Sequence, residues 1–405
     1  MVFPSILTGR RAASSPVNQH LRIASMNFDW TREELDTKNN VKDLFNEAAL
    51  AELQALEEAD VPEIKRITGD WLKRLAQTGY LGLKIGSSEP TDALRLIAGQ
   101  EELARASGSL FLAVETTARL FGGLISQYGD LAQIHDLFQA LHQGSIIGAV
   151  AVSEPSEGGR DDGFLTLGRP DGNGYVLSGM KSFVTNGPIA DFVAVFGQVD
   201  NKTAIFLVGT ELPGVVIGPR IETLGFDGLA VAALELNDVR LLGNMVLGPF
   251  NDRTPLEFLR IVEDMVLAAA SVGLMERTIS ASLEYARAHQ RGGKAIFAYQ
   301  EIRFKLAEML TLSQSSRLLA CRAGWLHSVG DPEAVTVVHC GKVFAAEASE
   351  RVASLAMQIM AGRGYCRGNV IERGYREAKY AAIAGTTSEV ARMSIAEDLL
   401  EQYKV

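Results

Sequence analysis

Gly179-Met180-Lys181-Ser182-Phe183-Val184-Thr185-Asn186-Gly187 is a short run framed by glycines. Its Phe-Val-Thr centre is good strand sequence, because aromatic and β-branched side chains fit a pleated, half-buried surface. Upstream stands Val152-Ser153-Glu154-Pro155-Ser156-Glu157-Gly158-Gly159. Around both, β-rich runs recur at Ile147–Val152, Tyr175–Ser178, Phe192–Phe196, Thr203–Val208, Val215–Ile217 and Ala230–Leu236. Turn clusters such as Asp171-Gly172-Asn173-Gly174 separate them, so the middle third predicts an antiparallel β domain.

On either side the pattern turns helical. From Leu35 to His142, apolar residues recur at helical spacing in Ile64, Leu72 and Leu75 and in Leu94, Ile97 and Leu103. Breaks at Gly79–Gly82 and Ser87–Pro90 divide the segments. Long helical segments are predicted at 255–289, 297–328, 332–361 and 386–402, with Pro255 in a first turn and Gly330 as a stop. The expected fold class is α+β multidomain. Residues 1–25 form an extension, 26–146 an N-terminal helical domain, 147–250 a middle β domain and 251–405 a C-terminal helical domain. The extension holds Arg10, Arg11 and Arg22, several serines and no acid. It reads as a disordered lead-in to Met26, or as an organellar transit peptide. The expected location is cytoplasmic, or the mitochondrial matrix if the extension is a transit peptide.

Composition narrows the function classes. The 405 residues are 47% hydrophobic and 22% charged, which excludes disorder, collagen-like repeats and coiled-coil arrays. A net charge of −10 argues against nucleic acid as a partner. Three cysteines, Cys321, Cys340 and Cys366, make neither a disulfide framework nor a zinc site, so no metal is expected. No apolar run reaches the ~18 residues of a membrane span, and the longest candidate lies around Met265–Leu274.

Further stretches join the opening pair: Gln358-Ile359-Met360-Ala361-Gly362-Arg363-Gly364-Tyr365, then Glu372-Arg373 and Tyr375-Arg376-Glu377, and finally Gly385-Thr386-Thr387-Ser388-Glu389-Val390-Ala391-Arg392. In this order and spacing the chain resembles the acyl-CoA dehydrogenase family. The resemblance implies a middle β-barrel-like domain, a C-terminal four-helix bundle and one FAD. It places Val152 and Ser153 on the flavin pyrimidine, Phe183 over the ring and Thr185 at N5. It places Gln300, Gln358, Gly362, Thr387 and Glu389 on the dinucleotide end. Departures accompany it. His289 stands where the family has a phosphate-binding Arg, Gly292 replaces a Phe, and Gly159 replaces a substrate-contacting Ser. Because family members share the FAD phosphate site between subunits, a homotetramer is expected.

A proton alpha to a thioester is weakly acidic, so the chemistry needs a positioned base. The family's usual base position falls on Gly385, whose backbone N–H still serves the thioester carbonyl. The alternative position, as in isovaleryl-CoA dehydrogenase, falls on Glu263. Independently of the resemblance, Leu256, Leu259, Val266, Leu267 and Ala270 lie within about 60° of Glu263 on a helix. A carboxylate on an apolar stripe is desolvated, which raises its basicity. Asp264 is expected on a polar side with Arg260 and Ser271, at a substrate-contacting position. The expected function is FAD-dependent α,β-dehydrogenation of an acyl thioester carried by CoA or an acyl carrier protein. The expected electron acceptor is an electron-transfer flavoprotein or similar protein. The alternatives are an oxygen-using flavin monooxygenase or oxidase of the same fold, and a flavin-free scaffold.

Overall fold

The computed structural model describes residues 29–83, 90–155 and 163–402. The 1–25 extension and the Gly158–Arg160 part of the acidic loop, with Gly159, lie outside the described residues. Every helix and strand named below belongs to the compact unit Thr31–Val405.

Helices α1 (Arg32–Lys42), α2 (Glu47–Leu56) and α3 (Val61–Gln77) start on side-chain caps from Thr31, Asn46 and Asp60. Each cap accepts a backbone N–H that helix geometry leaves unpaired. There follow α4 (Pro90–Ala106), α5 (Gly108–Glu115), a π-helical stretch Thr116–Phe121, α6 (Gly122–Tyr128) and α7 (His135–His142). The run Gly108–Tyr128 corrects the expectation about apolar length. Its 21 residues are long and apolar enough to cross a membrane, but 94% of the apolar window is buried inside the protein. Its charges are satisfied internally: Glu115 accepts from the Tyr80 hydroxyl at 2.6 Å, and Arg119 donates to the Tyr80, Leu81 and Leu83 carbonyls. It is a core helix.

The middle region is a sheet of β1 (Gly148–Ala151), β2 (Leu167–Asp171), β3 (Gly174–Thr185), β4 (Phe192–Val199), β5 (Lys202–Gly209), β6 (Val215–Ile217), β7 (Val231–Leu242) and β8 (Val246–Phe250). The strand order is β6-β7-β3-β2-β4-β5-β8, with β1 beside β4. Most pairs are antiparallel, but β1–β4 and the single contact of β2 with β4 are parallel. Alternation gives each face its own core. Val193, Val195, Phe206 and Val208 pack on one side. Ala194, Phe196, Ile205 and Leu207 meet Leu120, Phe121 and Leu124 on the other.

The C-terminal region opens with α8 (Thr254–Ala288), which has Pro255 in its first turn. A small hairpin, β9 (Gln290–Arg291) with β10 (Lys294–Ala295), leads to α9 (Gln300–Ser328) and α10 (Ala334–Met360). Gly330 turns the chain between them at φ +67°, a conformation glycine adopts without Cβ strain. Short helices α11 (Gly362–Tyr365), α12 (Val370–Ala378) and α13 (Tyr380–Ile383) precede α14 (Ser388–Gln402). The four long helices form the expected bundle, and a buried Arg277–Glu377 ion pair ties α12 to α8.

Candidate active site

The middle of α8 carries two adjacent acids in opposite circumstances. Glu263 is half-buried, with 21% of its side chain exposed, and its Oε2 accepts from Arg260 Nη1 at 2.9 Å. Asp264 has no exposed surface. Its Oδ1 accepts from the Thr386 N–H at 3.0 Å, and its Oδ2 lies 3.8 Å from His339 Nε2. Burial pushes the Asp264 carboxyl up to about 7, against the pull of the Thr386 N–H. This overturns the expected polar side of the helix. Arg260 turns to Glu263, not to Asp264, and Ser271 is buried with its hydroxyl on the Leu267 carbonyl. The reason is tertiary: α8 is packed by α4, α9, α10 and α12, and Asp264 points at His339 of α10 and at the turn before α14. Asp264, expected at a substrate-contacting position, has no exposed surface in this chain.

Gly385 lies against these acids. A Cβ built there would sit 2.6 Å from Asp264 Oδ1, 3.0 Å from Leu267 Cδ1 and 3.3 Å from Glu263 Cγ, with φ at +65°. The two positions at which the resemblance places a base therefore adjoin: Gly385 has no side chain, and Glu263 carries a carboxylate. Restoring an acid by Gly385→Glu should fail. Left-handed backbone and overpacking together should cost about 2–4 kcal/mol, read as a lower unfolding midpoint in guanidinium, with no new activity.

On β3, a register shift between Lys181 and Val184 turns Phe183 out of the sheet. Phe183 takes φ +53° and is 71% exposed, while Lys181 and Val184 on either side are buried. A bulky residue in that backbone region is uncommon, and such outliers point to function. The bulge is anchored from behind. Lys181 Nζ donates to the Val152 carbonyl at 3.0 Å and to Glu154 Oε1 at 2.7 Å. The Ser182 N–H donates to the Ser153 carbonyl at 2.8 Å. Burial pulls the Lys181 amine down to about 8 despite its Glu154 partner. Asn186, also in left-handed backbone, donates to the Ala113 and Gly148 carbonyls and ties this strand end to α5.

Thr185 meets a residue that the sequence reading did not single out. The Tyr380 hydroxyl lies near the Thr185 side chain, and burial pushes that phenol up to about 12, with the Glu263 charge adding to the rise and Thr185 opposing it. Thr185, Tyr380, Glu263 and Gly385 thus form one neighbourhood. The signal for Tyr380 in the sequence is slight, since a tyrosine after Ala378-Lys379 reads as ordinary helix.

The residues expected on FAD fall into two groups. Val152, Ser153, Phe183 and Thr185 surround the β3 bulge, and Thr387 and Glu389 stand at the start of α14, where Lys342 donates to the Thr386 carbonyl. His289, Gln300, Gln358 and Gly362 are exposed around the far end of the bundle, where Ala286, Ile296 and Ile359 pack together. His289 is 26 residues beyond Glu263, about 39 Å along a helix. One chain does not bring the two groups together. At the far end His289 stacks on Tyr285, with ring centroids 4.9 Å apart. Arg287 lies over Phe297, and Arg291 is in β9.

Family models match the chain over both of these regions. The model described as acyl-CoA dehydrogenase, C-terminal domain, matches residues 261–400, and the middle-domain model matches residues 149–239. The chain belongs to the acyl-CoA dehydrogenase family. The mitochondrial short-chain specific acyl-CoA dehydrogenase of Bos taurus is 30% identical over 85% of this chain and 86% of its own length. A 3-(aryl)acrylate reductase of Clostridium sporogenes is 29% identical over 82% of this chain and 90% of its own. Among solved structures, butyryl-CoA dehydrogenase from Megasphaera elsdenii superposes with a TM-score of 0.84. It is 26% identical, covering 93% of this chain and all of that one. This acyl-CoA dehydrogenase homologue is therefore an oxidoreductase of the class that acts on CH–CH groups, and its helix–sheet–helix order is the family fold.

Proposed function

We propose that this protein binds FAD and removes an α-proton and a β-hydride from an acyl thioester. The observation that carries the reading is the meeting of Glu263 with Gly385: a half-buried carboxylate beside a backbone turn whose N–H has no acceptor among the described residues. The cradle fits the cofactor. Phe183 presents an exposed aromatic face, Thr185 a hydroxyl beside it, and the Val152–Ser153 turn is held to β3 from behind by Lys181. Bound FAD supplies the acceptor for the hydride. Glu263 takes the proton from the α-carbon. The Gly385 N–H donates to the thioester oxygen, and such a donor aimed at developing charge is a large term in catalysis. With a thioester bound, Leu267 beside Gly385 and Tyr380 near Glu263 would help exclude water, which strengthens both interactions.

The dinucleotide end needs a second chain in this reading. His289, Gln300, Gln358 and Gly362 lie too far from the bulge to serve the same FAD, so they serve the FAD of another subunit in a homotetramer. Electrons then leave to an electron-transfer flavoprotein or a similar acceptor. The test is bleaching of the bound flavin by a panel of acyl-CoA and acyl-carrier-protein thioesters. Bleaching is expected with at least one carrier, and the responsive carrier names the substrate class. A colourless protein that cannot be reconstituted with FAD refutes the reading.

A further inference from the structure

The turn between α13 and α14 is held by side chains at consecutive backbone groups. Arg260 Nη1 donates to the Gly385 carbonyl at 3.3 Å. The Thr386 N–H donates to Asp264 Oδ1 at 3.0 Å, and Lys342 Nζ donates to the Thr386 carbonyl. The Gly385 carbonyl and the Thr386 N–H belong to one planar peptide unit. Arg260 and Asp264 therefore fix that plane from both ends. Among the described residues the Gly385 N–H has no acceptor. Three groups are tied and one is left free, beside Glu263.

Asp264 is an unusual choice for a clamp. It is wholly buried, and its Oδ2 has no hydrogen-bond partner among the described residues. Burying a carboxylate with one oxygen unpaired is costly, so an apolar residue would serve stability better. Its Oδ1 also stands 2.6 Å from where a Cβ at 385 would be, so the clamp closes that position to any side chain.

We propose that Asp264 is a positioning residue: it locks the Gly385–Thr386 peptide plane so that the free Gly385 N–H meets the thioester carbonyl while Glu263 meets the α-carbon. The inference rests on the function proposed above and adds a residue that touches neither substrate nor flavin. Asp264→Asn keeps an acceptor oxygen for the Thr386 N–H, whereas Asp264→Leu removes it.

The test uses the FAD-loaded holoenzyme and three measurements: hydrogen exchange of the peptide covering 384–388, the infrared carbonyl band of bound [1-¹³C]crotonyl-CoA, and kcat and KM with butyryl-CoA. Asp264→Asn should keep wild-type protection, carbonyl shift and kcat within about threefold. Asp264→Leu should lose protection at the turn and part of the carbonyl shift, and kcat should fall ~10²-fold with little change in KM, as when one oxyanion donor is lost. If Asp264→Leu does not fold, Asp264→Ala carries the same comparison. A Leu or Ala variant that keeps the wild-type carbonyl shift overturns the inference, whether or not kcat falls. A wild-type holoenzyme that no thioester bleaches overturns the proposed function and this inference together. Bleaching in the wild type with unchanged Asp264 variants overturns the inference alone.

Discussion

Glu263→Gln should leave a yellow, FAD-loaded protein that no thioester bleaches at an appreciable rate. The substitution keeps the size of the side chain and an oxygen for Arg260, so the Arg260–Gly385 contact and the turn are retained. What it removes is the proton acceptor. A positioned base contributes ~10²–10⁴-fold in rate, and the fall in kcat should lie in that range. KM should change little, because the thioester carbonyl would still meet the Gly385 N–H. The contrast with Asp264→Asn is diagnostic: two neighbouring acids, the same isosteric change, and a large loss only at the half-buried one. Rapid-mixing absorbance at the flavin band measures both.

The second large effect is expected at Lys181, on the other side of the site. Its side chain is wholly buried and paired with Glu154, which also accepts from the Leu165 and Thr166 N–H groups. Lys181→Met keeps most of the volume but leaves Glu154 without its cation. Removing one partner of a buried pair costs about 3–5 kcal/mol. The Val152 carbonyl loses its donor as well, so the segment proposed to face the flavin loosens. Guanidinium unfolding should show the stability loss, and FAD should wash out on gel filtration. Adding Glu154→Gln should recover part of the stability, since the stranded carboxylate is then gone. A single variant as stable and as yellow as the wild type would contradict this account of the β3 bulge.

The sequence disclosed elements whose signal is local and periodic. The long helices at 254–288, 300–328, 334–360 and 388–402 stand within three residues of the segments read from hydrophobic spacing and from Pro255 and Gly330. Strands β2 and β8 were not legible, because Leu167-Gly168-Arg169-Pro170-Asp171 and Val246-Leu247-Gly248-Pro249-Phe250 carry glycine and proline where strand patterns carry branched residues. Their pairing is decided by partners. Gly168 is needed there because a Cβ would sit 2.4 Å from Phe206.

At the site, the helical wheel put Glu263 on a partly desolvated stripe, which its half-buried place on α8 matches, but misjudged its neighbour. Angular spacing gives directions around one helix and says nothing of what is packed outside it. Asp264 faces His339 of α10 and the α13–α14 turn, where Thr386 is 122 residues away in sequence. Tyr380 and Lys342 escaped notice for the same reason, since their roles exist only where α10, α13 and α8 converge. The bulge at Phe183 was equally hidden, because a strand reading assigns strict alternation through it.

Proton exchange tests the assignment of Glu263 as the acceptor of the α-proton without requiring hydride transfer. A 3-thia-acyl-CoA has sulfur at the β-position, so it has no β-hydride to give, while its α-protons remain acidic. Incubated with holoenzyme in deuterium oxide and followed by mass spectrometry, it should gain deuterium at the α-carbon with wild-type protein. With Glu263→Gln the gain should fall by ~10²-fold or more. Deuterium incorporation by Glu263→Gln at the wild-type rate would place the base elsewhere and contradict the account.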